Sequence, residues 1–467
     1  MAITLRSVTG SALSYEQLDT NFSSMFYSAS ISGSNIWFYT TGSTGITGVP
    51  SPTSMSISVT STSNWTDLGS GAVSRNSNVE ITGSLSQGSN NLTIGGSSHA
   101  EGFNNWAVGQ KSHAEGDNTS ANGESSHAEG FHAITTGFAS HAEGNYGYAT
   151  GMFSHAEGDN TTAGATGSHA EGINTISSGS YSHAEGDSTL ASGYGSHAEG
   201  LGAIANASYA HAEGSYTLAS GPVSHTEGVN TTAIGNGSHA EGYFTLASGA
   251  RSHAEGYYVS ASGDYSHAEG YLAIATGLGS HAEGEQTQAT GQSSHAEGVG
   301  VLASGIYSHA EGQDTVALGY GTHAEGDNTL ASGSYSHAEG FETIASGSYS
   351  HAEGYGTVAI GIASHTAGYT TVAVGNYQTV VGQNNMTSSA TSAFIVGNGV
   401  GAGKSNLLFA SGSQVQVTGS LMINSILQLT PTGSFPGTAV EGMIVAQGSP
   451  GASKLYYYNG TIWNALF

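Results

Sequence analysis

Histidine followed two residues later by glutamate recurs along this chain, beginning with His99 and Glu101. An imidazole beside a carboxylate can do three kinds of chemistry. It can move protons as a general acid and base, ligate a transition metal through its nitrogen and oxygen donors, or form a charge-assisted hydrogen-bonded pair. Twenty histidines stand 14 residues apart from His99 to His365, and only His132 lies off this ladder. The glutamates run from Glu101 to Glu353; Ala367 takes the last place. Catalysis needs one special environment, and a pair repeated in nearly every unit does not supply one, so the chain is expected not to be an enzyme. An ion-pair ladder is the simplest reading, because charged histidines would offset the nineteen glutamates almost one for one. Metal ligation stays open, with His99, His113, His127, Glu101, Glu115 and Glu129 as the first candidate ligands.

These pairs need an element that repeats every 14 residues. The centre of each unit reads Ser-His-Ala-Glu-Gly, with Gly three residues after every ladder histidine. Seven residues later the pattern x-Ala-x-Gly echoes it, as in Leu218-Ala219-Ser220-Gly221. Apolar and polar residues alternate, which is strand periodicity, and this density of glycine is incompatible with a helix interior. Each half-unit is expected to be a strand of about four residues closed by a Gly-centred turn. Stacked units then make a parallel β-roll solenoid, with twenty coils spanning roughly 95 Å. Ala100 and Ala107, with their equivalents, point inward. His and Glu share the outer face of one sheet. The outer face of the other sheet is variable, with Trp106, Ser120, Ile134, Tyr148, Thr162 and Gln288 in one column. An invariant face suits a repeating interface, and a thin alanine core buries little apolar area alone, so self-association is expected.

The 72 glycines and 8% charged residues are unlike an ordinary globular domain. The formal charge is -27, and Arg6, Arg75, Lys111, Arg251, Lys404 and Lys454 are all the bases, so nucleic acid and anionic membrane are not expected partners. No cysteine is present, which excludes disulfides and thiolate metal sites. The start, Met-Ala-Ile-Thr-Leu-Arg, has no apolar run of signal-peptide type, and no stretch reads as a membrane-spanning helix. Turn propensity accounts for Asp117-Asn118, Asp159-Asn160 and Asp327-Asn328. Tyr181, Tyr265, Tyr307, Tyr335 and Tyr349 are placed on the rim of the roll.

The units over 91–397 resemble the β-roll head repeats of trimeric autotransporter adhesins of the YadA type. In that family two apolar residues of the half-unit face the trimer axis; here His and Glu occupy those slots. The resemblance therefore implies a homotrimer whose ladder lines the three-fold interface. His155, Glu157, His169, Glu171, His183, Glu185, His197, Glu199, His253, Glu255, His267 and Glu269 are the representative interface residues. No cofactor is expected; the open alternative is a metal ion on the trimer axis. Flanking units return to apolar pairs, in Asn91-Leu92-Thr93-Ile94-Gly95, Gln378-Thr379-Val380-Val381-Gly382 and Phe394-Ile395-Val396-Gly397.

The ends differ. Residues 1–30 form an attachment or trimerisation segment with a helix expected over 12–26, where Ser14 and Gln17 make a capping box and Tyr15, Leu18, Phe22 and Phe26 follow helical spacing. Residues 31–90 read as a β-rich linker, and 398–467 as a small β module that caps the roll or forms a tip. In that module Tyr456, Tyr457, Tyr458 and Trp463 flank an Asn459-Gly460 hairpin signal and are the candidate tip residues. Both ends resemble segments of phage tail-fibre proteins. That resemblance implies a virion fibre joined to the tail or baseplate through its N-terminus, and a host receptor or glycan as partner. A bacterial surface adhesin, a filament-forming protein and a polysaccharide-depolymerising tailspike are the rival readings; against the last, no acidic pair stands apart from the ladder.

Overall fold

The computed structural model describes residues 84–412 and 414–423, parts of 435–466, and six strands between 13 and 75. All the described elements are strands. From Leu85 onward the chain winds as a two-sheet parallel roll. One sheet is built from five-residue strands such as His99–Phe103 and His113–Asp117. The other is built from two-residue strands such as Trp106–Ala107 and Ser120–Ala121. The two halves of a unit are thus unequal, although the sequence pattern made them alike. Register is exact in 14-residue steps: His113 faces His99 and His127, and Glu115 faces Glu101 and Glu129. The roll begins one coil before the first ladder histidine, because Leu85–Ser89 pairs with His99–Phe103.

Four small side chains per coil fill the interior. The alanines on both sheets are fully buried, for example Ala240 and Ala247 at 0% exposure. The residue before each ladder histidine, serine except at Ala210 and Thr322, and the residue six after it, most often threonine, are buried too, as with Ser238 and Thr245. Ser238 donates through Oγ to the Gly235 carbonyl at 2.8 Å, a bond repeated in many coils. Hydroxyl residues in the alanine columns, Ser177, Thr226 and Thr366, mark the breaks between successive apolar clusters.

Backbone groups are satisfied from coil to coil. The His113 amide donates forward to the Ser126 carbonyl at 2.9 Å, and the Lys111 amide donates back to Gly96 at 2.9 Å. Each turn carries one left-handed residue, and it is seldom glycine. Asn118, Asn160 and Asn328 have φ of 59, 56 and 55°, and Tyr181, Tyr265, Tyr307, Tyr335 and Tyr349 lie between 58 and 60°. The repeat glycines do other work. Gly116 lies inside a strand at φ 116°, and a Cβ there would fall 2.1 Å from the Gly130 carbonyl oxygen. A Cβ on Gly109 would fall 1.9 Å from the Gly123 oxygen. Close approach between coils, more than turn geometry, requires these two glycine columns.

At the C-terminal end the roll closes. Phe394–Asn398 still pairs in parallel with Thr379–Gln383, then Asn406–Ser411 and Gln414–Val417 add antiparallel strands. Val380 and Ile395 replace alanine in the core there. A separate three-stranded antiparallel sheet joins Ile444–Gln447, Lys454–Tyr458 and Trp463–Ala465. Near the N-terminus, Asn35–Tyr39 pairs antiparallel with Ser28–Ser32 and Ser54–Ser58. The helix expected over 12–26 is corrected at its start: Leu13–Ser14 is a strand paired with Ser28–Ala29, which gives its backbone groups partners across a sheet. The rest of that stretch lies outside the described residues. Among the described residues no helix is long and apolar enough to cross a membrane.

Candidate functional site: the histidine–glutamate face

In-register parallel pairing fixes the geometry of this face. Strands lie about 4.8 Å apart, so equivalent side chains must stack at that spacing. The imidazoles do so, with centroids 4.6–5.0 Å apart from His99–His113 through His351–His365. Most rings are nearly parallel to their neighbours; His253 and His267 are tilted by 39°. Most Nε2 atoms face the glutamate two residues on, while those of His323, His351 and His365 lie against the glutamate of the preceding coil.

The pairs are close but are not hydrogen-bonded. His267 Nε2 lies 3.2 Å from Glu269, and His99, His113 and His127 lie 3.6–3.9 Å from Glu101, Glu115 and Glu129. His183–Glu185 and His197–Glu199 are at 4.0 Å. His155, Glu157, His169, Glu171, His253 and Glu255 occupy the same columns in the same register. Some glutamates span two coils: Glu339 lies 3.9 Å from His337 and 3.5 Å from His351. The rings are about one-third exposed, with side-chain values of 30–38%, yet every ladder Nε2 is enclosed and has no hydrogen-bond partner in the chain.

The electrostatics favour neutral imidazole. Burial lowers the pKa of His99, His127, His141, His169, His183, His211, His281, His295, His323 and His337, and the next histidine in the stack lowers it further. His239 is lowered to about 4 by burial and by His225 and His253. Where the glutamates oppose this shift, their pull is smaller than that of burial. The charged ion-pair form expected from the one-to-one supply of His and Glu therefore does not describe these histidines at neutral pH within one chain. Geometrically, triads such as His99, Glu101 and His113 bring ligand atoms within 4.8 Å of one another, so the face can also hold a metal.

A groove of about 460 Å³ is lined by Glu325, Glu339, Glu353 and by Gly326, Gly340, Gly354 and Gly368. The groove exists because those glycines carry no side chain.

The candidate tip is partly a small core. Phe435 stacks on Trp463 at 4.9 Å and meets Tyr456 edge-on at 5.0 Å, and Tyr458 lies 5.2 Å from Trp463. Of the four candidates only Tyr457 is an exposed residue, beside exposed Ile444. Sequence reasoning missed the aromatic ladders. Tyr243, Tyr257 and Tyr271 stack at 5.0 and 5.4 Å, and Phe341, Tyr355 and Tyr369 at 4.9 Å, all four residues after a ladder histidine. Aromatic residues at that offset in consecutive units were the available signal.

No curated protein matches the chain. The two-copy YadA head domain repeat matches residues 170–196, 184–206, 212–238, 310–336, 338–364 and 352–377, all within the roll. Over those residues the chain is similar to the YadA head domain repeat, and its units stack as a β-solenoid of 14-residue coils.

Proposed function

We propose that three copies of this chain assemble, with their His/Glu faces around a common axis, into the rigid shaft of a virion tail fibre that serves host attachment. The observation that carries the reading is the enclosed Nε2 column, without a hydrogen-bond partner in its own chain, together with the Glu/Gly groove over 325–368. Buried polar atoms are normally satisfied, and a second copy offers a donor and an acceptor to match at every step. The alanine interior adds to this, since so thin a core gains much from burying a further face. In this assembly the shaft is structural, not catalytic. The N-terminal segment joins tail or baseplate, the non-repeating end meets a host receptor or glycan, and nucleic acid and bilayer are not partners.

The virion setting rests on the likeness of both ends to phage fibre segments. A bacterial surface adhesin built on the same shaft is the second reading, and the YadA head repeats favour it. Sedimentation of the full chain tests the assembly: three times the 46.9 kDa chain mass is expected, and a monomer would overturn it. Antibody to the roll, imaged by electron microscopy, separates the settings. Decorated tail appendages support the first reading, and decorated cell surfaces the second.

A further inference from the structure

The His/Glu face has a second capacity that does not depend on assembly. We infer that it is a linear array of transition-metal sites, each formed by the Nε2 of one histidine and the carboxylate of one glutamate, for borderline ions such as Zn²⁺.

The distances select this arrangement over others. Zn²⁺ binds imidazole nitrogen at about 2.0–2.1 Å and carboxylate oxygen at about 2.0–2.2 Å, so two donors on a tetrahedral ion stand roughly 3.4 Å apart. His267–Glu269 at 3.2 Å, His365–Glu353 at 3.4 Å and His351–Glu339 at 3.5 Å already have that bite. The remaining contacts, out to 4.0 Å, need only a small carboxylate rotation. The stacked ring centroids stand 4.6–5.0 Å apart, wider than the roughly 4.2 Å that two metal–nitrogen bonds span, so one histidine per ion is the arrangement reached without moving the rings. Each ion therefore takes one nitrogen and one or two carboxylates, with water or another chain completing its shell. Glu311, 3.7 Å from His309 and 4.0 Å from His323, is placed to bridge successive coils.

The ligand state and the charge agree. Metal ligation takes the neutral imidazole nitrogen and the ionised carboxylate, the two donors that this face brings together. The enclosed Nε2 atoms have no competing partner in the chain. With neutral histidines the nineteen glutamates leave the face negative, and one divalent ion per two coils cancels that charge. Filling every coil would set divalent ions less than about 5 Å apart, where repulsion is severe. Saturation is thus expected near half occupancy, roughly ten ions per chain.

The test uses the full chain, stripped with EDTA and dialysed against Zn²⁺ or, separately, Ca²⁺. Elemental analysis should give roughly ten bound Zn²⁺ and far less Ca²⁺. Cu²⁺ loaded in place of Zn²⁺ should show nitrogen hyperfine splitting in its electron paramagnetic resonance spectrum. A variant with glutamine at the ten histidines from His99 to His225 keeps a side chain that stacks well in parallel ladders. It should melt as the parent does in EDTA yet bind about half as much Zn²⁺. Fewer than about one Zn²⁺ per chain, equal uptake of Ca²⁺, or full uptake by the folded glutamine variant would each overturn the assignment. Sedimentation in EDTA reports the assembly separately, so failure of one proposal is distinguishable from failure of the other.

Discussion

The central coils and the C-terminal coils are built on one backbone but carry opposite chemistry. In the centre the outer face holds His and Glu above a core of alanine, serine and threonine. At the end, Thr379 and Val381, then Phe394 and Val396, take the same face positions, while Val380 and Ile395 fill the core. The coil accepts either face because neither holds it together. Small interior side chains, the two glycine columns and the coil-to-coil hydrogen bonds do that. The identity of the face is therefore free of the demands of coil stability.

The largest predicted effect attacks what the two regions share. Gly242→Ala puts a Cβ 2.2 Å from the Gly256 carbonyl oxygen at φ 109°, and should cost more than about 4 kcal/mol, read as a collapse in thermal melting. Gly401→Ala, with nothing within 4 Å, should cost only about 1 kcal/mol. Next, Ile395→Ala removes a fully buried side chain from the closing coil and should cost about 2–5 kcal/mol. Hydrogen exchange should then rise over 379–417 while the central coils stay protected.

Acid should separate the regions in the other direction. His239, lowered to about 4, and ladder histidines such as His183, His211, His295 and His337 have folded pKa values below the ordinary 6.5, so the unfolded chain binds protons first. Their stabilising contribution is complete above about 6.5 and is lost as pH falls toward about 4. Melting in EDTA should drop across that window, with exchange opening in the centre before the closing coils; unchanged melting would contradict the assignment of neutral histidines. A smaller loss, about 1 kcal/mol, is expected for Ser252→Ala, which deletes the 2.8 Å bond to the Gly249 carbonyl. The smallest is for His253→Thr with Glu255→Val, which gives a central coil the terminal chemistry. Stability at pH 7.5 should move by less than about 0.5 kcal/mol in denaturant titration.

Period, parallel register, inward alanines and the shared His/Glu face were all legible in the sequence, because each follows from side-chain alternation at a fixed repeat. The role of glycine was only half legible. Gly116 looks like a turn residue by type, but its neighbour Gly130 sits one coil away, and that contact is not written in local sequence. The left-handed tyrosines were hidden for a related reason. Tyr307 at φ 58° adopts a backbone that its own steric preference resists, held there by the bond from its amide to the Gln292 carbonyl. At the face, pairing by count suggested charged histidines. Burial first, and then the neighbouring ring stacked at 4.6–5.0 Å, hold histidines such as His127, His239 and His295 toward the neutral form and reverse that expectation there.

Exact 14-residue register has a genetic consequence. Since each central coil presents nearly the same contacts to the next, unequal recombination between repeats can add or delete whole coils without creating a misfit at the junction. Each event changes the length of the rod by about 4.8 Å, so reach can evolve in small heritable steps while both ends of the molecule stay unaltered.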